Sequence, residues 1–585
     1  MERNRERSRE QGNSNRNRRG KKKIGPVVIA ILLILVIGGG AVGKVLYDKY
    51  SYSKERADMD EYYQVSGEES AIILQDEMVE EKAIIRNGVC YFDLDTVHKY
   101  MNEIFYLDLN ENLLLYTDAV ETTTVNLGES TWTNAAGSQD LGHTIAYVEN
   151  DTVYVSADYV KLFTNYSYEM FDRHVQVYTE WGAKEEATVK KATAVRLRGG
   201  VKSEVLRDLE AGETVEILEE MENWSKVKTS DSIIGYLENK RLENKQTVQE
   251  TAVTDYVAPE YTRIALPTKV SLGFHSIGGV GGNVTLDAMM AESKGMNVIS
   301  PTWFSMVDNA GNIRSFGDAE YVQKAHGKGI QVWAAFDNFN YSNETDTPVD
   351  EFAVLSSTSK RQKMVNGVVA LANNLGVDGI NVDFEGLSED CGVHYVQFLR
   401  ELSAECRANG LVLSVDNYVP FHFNDFYRLD IQGEIADYVI IMGYDEHWRG
   451  SGDPGSVASI DYVSNGLDRT LEEVPAEKVV NALPFYTIQW RTEGSEVTDK
   501  YLTMKNTPEL LQRIPVEKVW DDEICQHYVE WMEGNAKYQI WIEDEQSISV
   551  KLNVMKAKNI GGVAVWSLGN GTDATWELLN LYVNS

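Results

Sequence analysis

Cysteine is scarce. Cys90, Cys391, Cys406 and Cys525 are the only thiols in 585 residues, too few and too scattered to staple a small scaffold. Cys391 and Cys406 bracket a helical pattern, and at about 1.5 Å per residue they would lie roughly 22 Å apart, beyond disulfide reach. All four are therefore read as free. Neither a C-x-x-C pair nor an H-E-x-x-H helix is present, so a zinc site has no support, and no metal or other cofactor is expected. The glycine run Gly278–Gly282 fits neither G-x-G-x-x-G nor a Walker loop and reads as a flexible connection. Positive charge is also missing from most of the chain. Residues 1–23 carry ten Lys or Arg against three Glu, a balance of +7, which leaves −42 on the remainder of a chain whose formal charge is −35. So acidic a body repels phosphate backbones, which excludes nucleic acid as the partner of the folded part and points to a neutral or zwitterionic substrate.

What the chain does have is length and ordinary globular composition. With 43% apolar and 25% charged residues over 585 positions, about three or four folded units are expected, one of them as large as 250 to 300 residues. Behind the basic head, residues 24–43 (IGPVVIAILLILVIGGGAVG) are uncharged and long enough to cross a bilayer core of about 30 Å as a helix. Basic residues stay cytoplasmic. This predicts a cytoplasmic tail (1–23), a single-pass signal anchor (24–43) in the cytoplasmic membrane, and everything after Lys44 outside. A cleaved signal peptide is the alternative, since Ala41-Val42-Gly43 supplies small residues.

After an acidic connector (44–83), residues 84–180 alternate in strand fashion, as in TIAYVENDTVYVSADYV, where Asn150-Asp151 supplies a hairpin turn. A small α+β module fits. Residues 186–243 hold short β-rich stretches between polar turns and read as a small barrel; residues 244–261 are polar and aperiodic, a linker. From 262 onward the pattern changes. Eight apolar strand candidates begin at 270, 297, 330, 379, 411, 437, 479 and 562, with helical stretches between. Eight such units indicate a (β/α)8 TIM barrel with an insertion of some 75 residues between strands seven and eight; a doubly wound open sheet is the alternative. The fold class is thus multidomain.

Chemistry in such a barrel sits at the C-terminal ends of the strands. On the fourth, Asn381, Asp383 and Glu385 recur at i, i+2 and i+4 on one face while Ile380, Val382 and Phe384 take the other. Two carboxyl groups and an amide turned into a barrel mouth are costly without a purpose. At about 6.6 Å between the Cα atoms of Asp383 and Glu385, each raises the cost of ionising the other, which suits Glu385 to general-acid work on a glycosidic bond. An inward salt-bridge network is the bland alternative.

These residues also carry a resemblance. DGINVDFE (378–385) resembles the D-x-x-D-x-D-x-E signature of glycoside hydrolase family 18, Met442-Gly443-Tyr444-Asp445 resembles that family's M-x-Y-D motif, and Trp566 falls where the family places an aromatic floor. Residues 444–460 and 474–490 look most like its spore cortex-lytic N-acetylglucosaminidase branch, whose members act on peptidoglycan. Asn381 departs from the broad pattern's middle aspartate, as that branch often does. Residues 186–243 resemble the bacterial SH3 domain, often a peptidoglycan binder, and residues 84–180 resemble stalk domains named after the amine-oxidase N-terminal domain, without any ligand cluster for copper.

The resemblance implies a substrate-assisted retaining mechanism. Glu385 and Asp383 would be catalytic, the first protonating the leaving oxygen and the second orienting the substrate's acetamido group. Tyr444, Asp445, Trp566 and Asn381 would bind substrate. Trp303, Tyr418, Tyr486 and Trp490 also fall near strand ends, as sugar contacts or as packing. The expected activity is an exported, membrane-anchored endo-β-N-acetylglucosaminidase acting on peptidoglycan. An enzyme for chitin or N-glycan cores and a catalytically silent carbohydrate-binding scaffold are the alternatives.

Overall fold

The computed structural model describes residues 25–252, 254, 256–339 and 349–584. The basic tail expected at 1–23 lies outside the described residues. A helix at Pro26–Tyr50 is exposed along its whole length and is long and apolar enough to cross a membrane. It outlasts the predicted span because nothing after Gly43 breaks it until Ser51 turns extended.

The rest forms two compact units, one holding the described residues up to Ala83 with 167–252, the other 84–166 with 254–584. In the first, residues expected to be an acidic connector are ordered. Ser53, Glu55 and Ala57 exchange backbone hydrogen bonds with Val201 and Val205, and Glu69–Leu74 pairs in parallel with His174–Tyr178. Acidic composition hid the run Ala71-Ile72-Ile73, which is fully buried. The bacterial-SH3-like stretch is a seven-stranded antiparallel sheet from Ala183–Val189 to Leu242–Gln249 around Val195, Val227 and Leu237. Its last strand takes in the first six positions of the expected linker.

The second unit joins residues 84–166 to the large C-terminal body. Here Ala146–Glu149 and Thr152–Ser156 form a hairpin through Asn150 and Asp151, both at positive φ (51° and 62°), the backbone a two-residue turn needs and Asn and Asp tolerate. A five-stranded antiparallel sheet follows the chain from Tyr106–Asp108 to Gly137–Asp140.

The large body is a closed barrel of eight parallel strands. They are β1 (Val270–His275), β2 (Val298–Met306), β3 (Gln331–Asp337), β4 (Gly379–Asp383), β5 (Val412–Tyr418), β6 (Tyr438–Met442), β7 (Val479–Pro484) and β8 (Gly562–Trp566). Each pairs with its neighbour in chain order and β8 returns to β1. Strands such as β6 and β7 are buried at every position, as parallel strands covered on both faces must be. The two long helices α1 (Thr358–Leu375) and α2 (Gly392–Asn409) precede and follow β4. Between β7 and β8 the insertion folds as a five-stranded antiparallel sheet with two helices.

A buried ion pair ties the end of that insertion to the helix leading into β8. Lys551 meets Glu543 at 2.7 Å with side chains 1% and 0% exposed, and Ser547 donates to the same carboxylate. Lys551→Met would leave Glu543 buried and uncompensated and should lower stability by about 3–5 kcal/mol, whereas adding Glu543→Leu should recover much of that loss. Denaturant unfolding of both variants checks this.

Candidate active site

β4 delivers the fourth-strand residues to the barrel mouth. Ile380, Val382 and Phe384 are buried on the outer face, where the Phe384 ring stacks on Phe398 of α2 at 5.3 Å. Inward, Asn381 accepts from Ser414 Oγ (2.6 Å) and donates to Asp416 Oδ2 (2.6 Å), both on β5. The strand ends at Asp383, so Glu385 lies just past it and needs another support. Asn338, one residue beyond β3, supplies that support: its side chain accepts from the Glu385 N–H (2.9 Å) and donates to the Glu385 carbonyl (2.8 Å).

Sequence reasoning missed two carboxyl groups here. Asp337 ends β3 in register with Asp383, and Asp416 sits one strand further on, 2% exposed. Asp383 Oδ1 and Asp416 Oδ1 are buried without a hydrogen-bond partner among the described residues. The signal was there, one acidic residue near the C-terminal end of each of three successive strands, but β3 and β5 show no i, i+2 carboxylate pattern.

Burial raises every one of these acids. Asp383 is held well above the carboxylate range by desolvation and then by the charges of Asp416, Glu385 and Asp337. Desolvation raises Asp416 too, against a hydrogen bond from Asn381. Glu385 is raised by burial, eased by a hydrogen bond from the Tyr418 hydroxyl and raised further by Asp445. Asp337 is pushed up to about 7 by burial, although Ser305, the Phe339 N–H and Arg314 oppose the shift. With so many acids together and little cationic compensation, these carboxyl groups do not all ionise at once.

Tyr444 and Asp445 follow the end of β6, and Trp566 ends β8. Tyr444 is buried beyond the end of β6, and Asp383 and Asp445 are its strongest charged neighbours. Asp445 stands at φ 61° and accepts a hydrogen bond from Tyr486, whose ring stacks on Tyr501 of the insertion at 4.8 Å. Trp566 closes β8, partly buried and 5.6 Å from Phe274, before a cis peptide bond to Ser567. Trp303 and Trp490 are packing residues, their indole N–H groups bonded to Asn283 and the Gly455 carbonyl. Tyr418 and Tyr486 join the site. A cleft of about 640 Å3 opens beside Tyr418, bounded by Phe421, Asp425, Arg428 and Arg469.

One consequence is measurable. Asp337 binds its proton more tightly in the folded chain than in the unfolded one. Its contribution is therefore intact at about pH 4 and lost as pH rises to about 7. Asp337→Asn should melt near the parent's temperature at pH 4 and above it at pH 8. A gap between the two melting temperatures that does not change with pH would contradict the assignment.

The chain is similar to known proteins over its C-terminal part. The family model "Glycosyl hydrolases family 18" matches residues 232–571, and "Bacterial SH3 domain" matches residues 191–243. YvbX of Bacillus subtilis (strain 168), named as an uncharacterized glycosylase, is 26% identical over 297 residues, 48% of this chain and 84% of that protein. The cortical fragment-lytic enzyme of Bacillus anthracis is 25% identical over 234 residues, 39% of this chain. The chain spans about half the length of that enzyme, 54%. Among solved structures, a chitinase from Chromobacterium violaceum is 25% identical with TM-score 0.48, covering 54% of this chain and 99% of that one. The Bacillus cereus spore cortex-lytic enzyme SleL is 21% identical with TM-score 0.48, covering 55% and 75%.

Proposed function

Because the chain belongs to glycosyl hydrolase family 18, matched over residues 232–571, it is a glycosidase, and we propose that it cleaves β-1,4 bonds beside N-acetylglucosamine in peptidoglycan, anchored to the cytoplasmic membrane. The observation that supports this is Glu385, buried just past the end of β4 beside Asp383, Asp416 and Asp337, where burial makes it hold its proton more tightly than an exposed glutamate does. In this reading Glu385 is the acid and Asp383, at the end of β4, orients the acetamido group.

In the proposed reaction Glu385 gives its proton to the glycosidic oxygen as the C1–O bond breaks. The substrate's own 2-acetamido oxygen forms the new bond to C1, giving an oxazolinium ion, so no protein nucleophile is required. Asp383 accepts the acetamido N–H and stabilises the cation. Water then attacks C1, Glu385 takes its proton, and the configuration is retained. Tyr444 donates to the acetamido oxygen, Asp445 and Asn381 support the sugar and the acid cluster, and Trp566 stacks beneath the ring.

Peptidoglycan is favoured by the relatives named as cortical fragment-lytic enzymes and by the SH3 match, a module suited to holding wall polymer near the site. The apolar helix Pro26–Tyr50 and the basic residues before it support a single-pass anchor with the N-terminus inside and the body outside. Such a tether confines the enzyme to the wall next to its own membrane.

Full-length protein in detergent, incubated with purified peptidoglycan and with chitin oligomers, tests the reading. New N-acetylglucosamine reducing ends should come from peptidoglycan, and Glu385→Gln should lower turnover at least ~100-fold while retaining binding. Products from chitin alone would make the enzyme a chitinase, and binding without products would make it a silent scaffold.

A further inference from the structure

We propose that the hairpin Tyr106–Thr117 of the α+β module is a positioning element for Glu385, holding the two helices that flank the catalytic strand. The proposal rests on the reading of Glu385 as the acid. It gives the module a role in the reaction where its sequence showed only a resemblance to stalk domains.

The contact begins with a missing cap. α1 carries no acidic residue in its first turn, and its N-cap residue Ser357 makes no side-chain capping bond. Four N–H groups at a helix start need acceptors, and the hairpin provides two. Asp108 Oδ2 accepts from Thr358 N–H (2.7 Å) and from the Thr358 hydroxyl (2.6 Å). Glu111 Oε1 accepts from Ser359 N–H (3.0 Å) and from Ser357 Oγ (2.6 Å). The other oxygen of Asp108 holds the hairpin's own turn through Asn110 and Glu111 N–H, so the turn geometry and the cap are one arrangement.

Tyr106 completes the grip. Its ring lies 4.5 Å from the guanidinium carbon of Arg361, which is fully buried and paired with Glu401 of α2 at 3.1 Å. Its hydroxyl accepts from Arg361 (3.0 Å) and bonds His394 of α2 (2.6 Å). One tyrosine thus touches both helices. Arg361 also donates to the Leu355 carbonyl (2.6 Å), at the end of the short helix Glu351–Leu355 whose Glu351 accepts from Asn338 (3.3 Å). Asn338 is the residue that clamps the Glu385 backbone on both sides. A continuous set of bonds therefore runs from the hairpin to the acid. Buried charges matched this closely differ from what a spacer needs, since a spacer can rest on exposed, exchangeable surface.

The test uses the full chain and the polymer the parent cleaves. Tyr106→Phe, Asp108→Asn and Asn338→Ala are compared for kcat, KM and deuterium exchange at the Glu385 and Gly386 amides, with Glu385→Gln as the control. Hairpin variants should lose roughly tenfold in kcat, inside the ~100-fold that a 1 Å misplacement can cause. KM should stay within about twofold, since the acid and not the sugar contacts has moved. Exchange at the two amides should quicken, and Asp108→Asn should add little on top of Asn338→Ala, because residues on one path are not independent. Unchanged kcat and exchange with only a lower melting temperature, or effects that multiply, would overturn the proposal. Should Asp108→Asn fail to fold, Tyr106→Phe, which removes one oxygen, carries the same comparison. Full activity in Glu385→Gln would instead overturn the functional reading, and the exchange data would still decide whether the hairpin orders this backbone.

Discussion

The site is organised around carboxyl groups gathered in a space with little opposing charge. Asp337, Asp383 and Asp416 come from three adjacent strands, with Glu385 and Asp445 close by. Arg314 is the cation that tempers Asp337, and tyrosine hydroxyls and amides do the rest. Such a group cannot ionise fully, so its protons are shared and its titration belongs to the set more than to any member. Asn381 makes sense in this light. A further aspartate there would add another acid beside Asp416, whereas the amide accepts from Ser414 and donates to Asp416 at once.

Holding those acids in place falls to neutral packing and to amides. Phe384 anchors the outer side of the Asp383–Glu385 segment against α2, and the Asn338 side chain fixes the backbone of Glu385 where the strand's own ladder has ended. Tyr486, stacked on the insertion, orients Asp445. The insertion is thus coupled to the site and is more than a decoration of the barrel rim.

Much of this was legible in the sequence. The eight strands were visible because strands buried on both faces read as short apolar runs, and DGINVDFE stood out because polar residues at i, i+2 and i+4 interrupt such a run on one face. Asn150-Asp151 announced its hairpin through turn chemistry alone. Asp337, Asp416 and Asn338 were not seen, since each is a single polar residue near the end of an apolar strand and acquires meaning only when neighbouring strands align. Nor was the attachment of residues 84–166 to the barrel body foreseeable: Asp108, Glu111 and Tyr106 look like turn and strand residues until their partners, some 250 positions away, are known. Acidic residues likewise disguised the ordered stretch before 83, whose buried apolar run, Ala71-Ile72-Ile73, is only three residues long.

The central claim is that burial beside other acids makes Glu385 hold its proton to higher pH than an exposed glutamate does. Infrared difference spectroscopy tests it directly, comparing the parent with Glu385→Gln and Asp383→Asn near neutral pH. A protonated-carboxyl carbonyl band present in the parent and lost in Glu385→Gln is the predicted result. Its absence from the parent at every pH above the ordinary glutamate range, about 4.3, would contradict the account.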